Sequence, residues 1–487
     1  MIKKPNVVIF CTDHQRADFL GCAGHPLINT PNLDRLAARG VRYENLYVTN
    51  TVCMPSRASI LTGTYPCRHT VTTNGFNLPT HQKTIAHVLR DAGYHTMVVG
   101  RTHVVCTKPR PKYSKTDFYG FSQCAHAQVY CGNTDPGNDY LLWIKEEHPE
   151  HYDDIAFANR KSDDDLSGSR TKVPQELSMN SWVVGKSLEF IREHREKSPE
   201  QPFFLWAGTW DPHSPYRAPE PWGSMYNPAD ISVPAQMKEE IESFPLEMRR
   251  LAINAPHIKY KVPLEQLVRN NIAMYMGMIS HIDDQLGRLL DGLDKMGLTD
   301  DTIILFISDH GDMMGEHWFF GKSLYFYDGA LKMPGIIAGP GIPLGKVFEG
   351  LAESVDLMPT LLELAAVPVP AEVQGKSWCP AIRGDGAAVH RNVYTEFQHF
   401  KLSDPDHVFA DEPKDEHVFS LFDGRYRIVC FKDRLYGQLF DFEADPGNHR
   451  NRWDDPEYAN VKTEMQNKLL NRLMSNLTQP DTRIADW

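Results

Sequence analysis

Short runs of apolar, largely β-branched and aromatic residues recur at positions 6–11, 95–100, 203–208, 302–307 and 335–338, and each predicts a buried strand. Between them lie stretches with helical spacing. Residues 31–40 follow Thr30, a candidate N-cap, carry Pro31 at the first helical position and stop at Gly40. Residues 84–92 close at Gly93 in the same way. The longest pattern, 264–296, puts Ile272, Met276, Ile279, Ile282, Leu286 and Leu289 on one face. Strands alternating with helices predict an α/β fold, a parallel or mixed sheet covered by helices.

Two stretches break this rhythm. Residues 113–170 are polar and rich in Asp, Gly and Asn, and read as long surface loops that either shape access to a site or are an inert excursion. Residues 219–262 are proline-rich and read similarly. From about residue 380 the pattern turns to β-rich hairpins, 393–400 and 418–431, followed by a polar helix at 456–477. We therefore expect a large α/β domain over 1–385 and a smaller α+β subdomain over 386–487, with an antiparallel sheet and a terminal helix.

Composition narrows the function classes. With 51 Lys and Arg against 63 Asp and Glu the net charge is −12, which argues against nucleic acid as the main partner and makes any anion site local. Apolar runs stay short of the ~18 residues that cross a bilayer, and the stretch 7–11 is too short for a signal-peptide core, so the expectation is a soluble, cytoplasmic protein with no membrane partner. Nine cysteines, an odd number without a CxxC pair, are expected to be free thiols. A monomer and a symmetric homo-oligomer are both compatible with the sequence.

Chemistry gathers at strand ends. Asp13 stands just after the first predicted strand, and Asp309 and His310 just after the strand at 302–307. Ligands of open α/β sheets sit at the carboxyl ends of strands, so these groups point to one rim and make a candidate divalent-metal site. Asp-His-Gly after a strand is equally a helix cap and turn. His14 either faces the metal or packs. The sharpest feature is Cys53-Met54-Pro55-Ser56-Arg57, running on to Leu61-Thr62-Gly63. A helix starting near Pro55 would aim its amides at Cys53 with Arg57 one turn in, an electropositive setting expected to lower the thiol pKa.

Cys53-x-Pro55-x-Arg57 with Leu61-Thr62-Gly63 resembles the motif of the type I sulfatases, in which the cysteine becomes formylglycine. Other matching elements are Asn32-Leu33-Asp34-Arg35-Leu36-Ala37, Gly100-Arg101-Thr102-His103, Pro212-His213, Asp309-His310-Gly311, Gly315-Glu316-His317, Gly321-Lys322 and the tail 439–446. The resemblance implies the alkaline phosphatase-like sulfatase fold and hydrolysis of a sulfate monoester, small-molecule or saccharide. It also implies maturation by a formylglycine-generating enzyme. One divalent metal would be held by Asp13, His14, residue 53, Asp309 and His310. Cys53 would supply the nucleophile, braced by Arg57. His213 would protonate the leaving oxygen, Lys322 and Arg101 would neutralise sulfuryl oxygens, and His103 would act as base in the second step. His69 and Asn74 are candidates for lining the pocket.

The departures matter too. His14 and His310 stand where many sulfatases carry aspartate and asparagine. An all-oxygen site prefers Ca²⁺, our first expectation, whereas imidazole ligation tolerates Mn²⁺ or Zn²⁺. The Asp309-His310 pair is similar to phosphonate monoester hydrolases and phosphodiesterases, the alternative reading, while Arg101 and His103 favour sulfate esters.

Overall fold

The computed structural model describes residues 4–106, 117–127, 138–156, 168–235, 237–253, 263–384, 389–399 and 416–477. Its strands are β1 (Asn6–Thr12), β2 (Gly40–Tyr47), β3 (His95–Gly100), β4 (Gln123–His126), β5 (Ser169–Arg170), β6 (Phe203–Gly208) and β7 (Arg217–Ala218). They continue with β8 (Thr302–Ser308), β9 (Gly335–Ala338), β10 (Lys346–Glu353), β11 (Val393–His399), β12 (Glu416–Phe422), β13 (Tyr426–Phe431) and β14 (Gly437–Asp441). Eight of them form one mixed sheet in the order β10-β2-β9-β8-β1-β6-β3-β4. The run β8, β1, β6, β3 and the edge strand β4 is parallel, and β9 runs antiparallel to both β8 and β2. All five predicted strands are present.

The sheet is covered on both faces, which is why its central strands are apolar without alternation. Val7, Ile9, Leu305 and Ile307 point to one side, where Met54, Ala58 and Leu61 of the Cys53–Thr62 helix pack. Val8, Phe10, Ile304 and Phe306 point to the other, against Ile282, Leu286 and Leu289 of the Leu264–Lys295 helix and Val183 and Ile191 of the Met179–Lys197 helix. The helix Pro31–Ala38 forms as its pattern predicts, but Thr30 makes no side-chain cap. Its first amides are capped from the long helix instead, Asp283 Oδ1 accepting from Asn32 N at 3.0 Å and Leu33 N at 2.7 Å.

The two stretches expected to be loops contain core structure. Within 113–170, β4 pairs parallel with β3, and the Asp139–Glu147 helix buries Tyr140, Leu141 and Ile144. Phe118 and Phe121 are buried as well. A few apolar anchors among many polar residues suffice for an edge strand and its covering helix, and composition hides them. Likewise 219–262 holds the helices Lys238–Ser243 and Leu246–Ile253, with Phe244, Met248 and Ala252 buried. The expected boundary at 385/386 lies outside the described residues. Beyond it, β11 to β14 make a four-stranded antiparallel sheet, on which the Ala459–Leu477 helix packs through Met465 and Leu469.

Candidate active site

Adjacent parallel strands deliver the site. β1 ends into Asp13 and His14, β8 into Asp309 and His310, β3 into Arg101 and β6 into Trp210. Their carboxyl ends lie side by side, and the Cys53–Thr62 helix starts over them. That helix begins at Cys53 itself rather than near Pro55, with Val52 as N-cap and Asn74 Oδ1 accepting from Met54 N at 3.0 Å. Asn74 is exposed and caps the first turn of that helix. His69 does not line the pocket: the ring is buried, bonded to Ser59 Oγ at 2.9 Å and accepting from Val71 N at 3.1 Å.

Arg57 is fully buried and ties three strand ends together. Its Nε donates to Asp309 Oδ2 at 2.8 Å, one terminal nitrogen to Asp13 Oδ2 at 3.0 Å and Thr12 O at 3.2 Å, and the other to Arg101 O at 3.1 Å. Every nitrogen has a protein acceptor, so the residue braces the floor and keeps at most one N–H, on the nitrogen that bonds Arg101 O, for an anion. Arg101 is oriented by its surroundings: Nε lies 3.1 Å from Asp13 Oδ2, a terminal nitrogen donates to His103 Nδ1 at 2.6 Å, and the guanidinium stacks 4.0 Å from the centre of the Trp210 ring.

Cys53 sits at the centre. Its Sγ is 3.5 Å from Asp13 Oδ1, 3.3 Å from His310 Nε2 and 2.8 Å from Lys322 Nζ. Lys322 also meets His14 Nε2 and reaches His213 Nε2 at 3.3 Å. The expected thiol activation is absent: burial, with Asp13 beside it, pushes the Cys53 thiol up to about 12. The helix terminus and the lysine do not offset desolvation, so the unmodified cysteine is a poor nucleophile.

Ligand atoms of Asp13, His14, Cys53 and His310 all lie within 4.8 Å of one another. His310 Nδ1–H donates to Gly311 O at 2.8 Å and His14 Nδ1 bonds Asp312 Oδ2 at 3.0 Å, which leaves both Nε2 lone pairs turned to the centre. Metal-binding histidines are oriented in this way. Burial opposes ionisation of Asp13, yet Arg101 and Arg57 hold its carboxyl well below the usual range. Burial lowers His310 to about 4, and with neighbouring cations holds His14, His103 and His213 neutral. An ionised carboxylate and two neutral imidazoles suit a divalent cation. Asp309 faces Arg57, and its second oxygen accepts from the amides of His14 at 3.2 Å and His310 at 3.0 Å.

Two contributors were not anticipated. Asp312 accepts from His14, Tyr216 Oη at 2.8 Å, Met314 N at 3.0 Å and Gly321 N at 2.8 Å, joining the metal cluster to the turn that carries Lys322. Its place two residues after His310 was the available signal. Trp210 stacks on both Arg101 and His213, the latter at 4.2 Å between ring centres; a tryptophan after a strand gives no cue beyond core packing.

The sulfatase family model matches residues 5–367, three quarters of the chain. The chain belongs to the sulfatase family. A second model, N-sulphoglucosamine sulphohydrolase, C-terminal, matches residues 315–475. The chain is 33% identical over 470 residues to an arylsulfatase of Clostridium perfringens, covering 93% of this chain and 91% of that protein. It is 29% identical to the multifunctional alkaline phosphatase superfamily protein PehA of Trinickia caryophylli, over 97% of this chain and 96% of the relative. Among solved structures, the phosphonate monoester hydrolase of Agrobacterium radiobacter aligns with a TM-score of 0.82 at 25% identity, covering 97% and 96% of the two chains. Sulfatases and phosphonate monoester hydrolases thus share this architecture.

Proposed function

We propose that the protein hydrolyses a sulfate monoester through a formylglycine made from Cys53, with Asp13, His14, residue 53, Asp309 and His310 holding one divalent ion. The supporting observation is the convergence of Asp13, His14 and His310 with Lys322 on a fully buried residue 53. A bound divalent cation would supply positive charge that favours the ionised form of a hydroxyl of the hydrated aldehyde. Two imidazoles in the set admit Mn²⁺ or Zn²⁺ beside Ca²⁺.

The chain's own residues account for the rest. One hydroxyl of the hydrate attacks sulfur, the sulfur–oxygen ester bond breaks, and the alcohol leaves with a proton. His213 Nδ1–H is committed to Ser214 O at 2.5 Å, so Nε2 is the nitrogen that delivers that proton, drawn across its contact with Lys322. The edge of Arg101 neutralises the sulfuryl oxygens throughout, and Lys322 does so until it passes its proton to His213, regaining one from solvent after the alcohol has left. His103, neutral in its buried position, accepts the proton of the second hydroxyl at Nδ1 once Arg101 has turned from that nitrogen to the sulfuryl oxygens; the carbon–oxygen bond to sulfate breaks and the aldehyde is restored. Free cysteines among the described residues support the reducing, cytoplasmic setting expected for such a chain. The chain division at 385/386 remains our proposed boundary between catalytic domain and C-terminal subdomain.

A second reading, hydrolysis of a phosphonate monoester or phosphodiester by the same apparatus, is favoured by His310 facing Cys53 and by the 0.82 TM-score with a phosphonate monoester hydrolase. The deciding experiment measures kcat/KM on protein whose position 53 has been verified as aldehyde by peptide mass and hydrazide capture. Aryl sulfate, aryl phosphonate monoester and phosphodiester are compared, with Ca²⁺, Mn²⁺ or Zn²⁺ restored after chelation. We expect the sulfate to be preferred by orders of magnitude. Preference for the phosphonate or diester establishes the second reading, and activity from an alkylatable thiol at position 53 sinks both.

A further inference from the structure

Away from the catalytic cluster, three segments distant in sequence bring ligand-type side chains to one point. Glu240 comes from the Lys238–Ser243 helix, His317 from the turn between Asp312 and Lys322, and His449 from the loop after β14. One ligand atom from each lies within 4.8 Å of the others. Glu240 Oε1 meets His449 Nδ1 and lies 3.4 Å from His317 Nδ1. The two imidazoles are 5.1 Å apart between ring centres, and His317 is stacked on Tyr327 at 3.9 Å, which fixes its plane.

These groups are deeply buried and incompletely bonded. Glu240 is 2% exposed and His317 5% exposed, yet Glu240 Oε2 and His317 Nδ1 have no hydrogen-bond partner. The neighbouring Asn448 Oδ1, also buried, is likewise unpartnered. Orphaned buried polar atoms are costly, on the order of 1–3 kcal/mol each, and the two on Glu240 and His317, within one cluster, call for a common partner. His317, Asn448 and His449 also line a cavity of about 420 Å³, wide enough to leave a coordination position for water.

We propose that Glu240, His317 and His449 form a second divalent-metal site, of zinc class, separate from the one at position 53. Two imidazole nitrogens and one carboxylate oxygen match a borderline transition ion with one open position, and are a poor match for Ca²⁺ or Mg²⁺, which take oxygen donors. The ion would fasten the C-terminal loop at His449 and the short helix at Glu240 to the turn that ends in Lys322. That turn is closed by Met313 N to Gly321 O at 2.9 Å and Gly315 N to Phe319 O at 2.8 Å, so an ion at His317 fixes the base of the segment delivering the catalytic lysine.

The test counts zinc by mass spectrometry in protein stripped with chelator, re-equilibrated with Zn²⁺ and desalted. Wild type is compared with Glu240→Gln and with His449→Gln, each required to keep its circular dichroism spectrum and a cooperative unfolding transition. Each variant should bind one zinc equivalent fewer than wild type; an unchanged count in either overturns the proposal. Anomalous diffraction at the zinc edge from Zn²⁺-soaked wild-type crystals provides the check that needs no variant. A peak is expected at about 2.0–2.1 Å from the Nδ1 atoms of His317 and His449. No peak there overturns the proposal, even with a peak at position 53.

Discussion

Asp312 shows how one side chain sets the chemistry of another. Its Oδ2 takes the Nδ1–H of His14, which leaves the His14 Nε2 lone pair facing the cluster, while its Oδ1 is held by the amides of Met314 and Gly321. Asparagine at 312 would keep its oxygen for those two amides and turn its NH₂ toward His14. The ring would then have to accept at Nδ1 and carry its proton on Nε2, where a metal needs a lone pair. Asp312→Asn should therefore weaken metal affinity about 10- to 100-fold with little change in unfolding midpoint. Calorimetric titration of metal-stripped protein with Mn²⁺ reads this directly. Wild-type affinity in the variant would mean that His14 packs beside the ion without binding it.

Strand ends place the residues, and their spacing is set by glycine. Gly100 and Gly208 lie opposite each other where β3 and β6 finish. A Cβ on Gly208 would stand 2.1 Å from Arg101 O, and Gly100 has φ +87 with room for no side chain, since its Cβ would meet Gly208 O at 2.0 Å. Arg101 N donates to Gly208 O at 2.9 Å across this contact. Gly208→Ala should force the strand ends apart and shift Arg101 and His103 from residue 53. A misplacement of about 1 Å costs about 100-fold in kcat/KM. Aryl sulfate kinetics at matched aldehyde content checks it, and a wild-type rate would show that the loop after β3 tolerates the shift. The sequence made much of this element level legible, because buried parallel strands are continuous apolar runs and their ends carry conspicuous residues. It hid β2, whose Arg42 and Glu44 interrupt the apolar pattern, and β4, whose four residues sit in a polar stretch. It hid Arg57's bonding too, since a motif names the residue and only folding shows that strand ends β1, β3 and β8 take four of its five N–H donors.

At the scale of the whole molecule, the C-terminal sheet is joined to the chain entering and leaving the Cys53–Thr62 helix. β11 donates from Glu396 N to Thr49 O at 2.9 Å and from Thr395 Oγ1 to Val48 O at 2.6 Å, and Glu396 Oε1 accepts from Cys67 N at 3.0 Å. Arg427 on β13, buried, pairs with Asp328 Oδ1 at 2.7 Å, at the start of the Asp328–Leu331 helix. None of this was legible beforehand, because long-range contacts between a polar C-terminal segment and an early loop leave no periodic trace. The joint should make stability depend on pH. Burial raises the Glu396 carboxyl from 4.5 to about 7, so folding favours its protonated form. Below pH ~4.5 both folded and unfolded chains bind that proton and the full stability is present. As pH rises toward 7 the unfolded chain has released the proton while the folded chain retains it, so stability falls; above 7 both are ionised and the loss is constant, on the order of 3 kcal/mol. Gln at this position keeps the oxygen that accepts from Cys67 N and has no charge to bury. Glu396→Gln should therefore unfold at higher urea than wild type at pH 8, and the difference should shrink steadily toward pH 5. Urea midpoints at pH 5, 6, 7 and 8 give the comparison, and parallel pH profiles for the two proteins would mean that the carboxylate at this joint is already ionised in the folded chain.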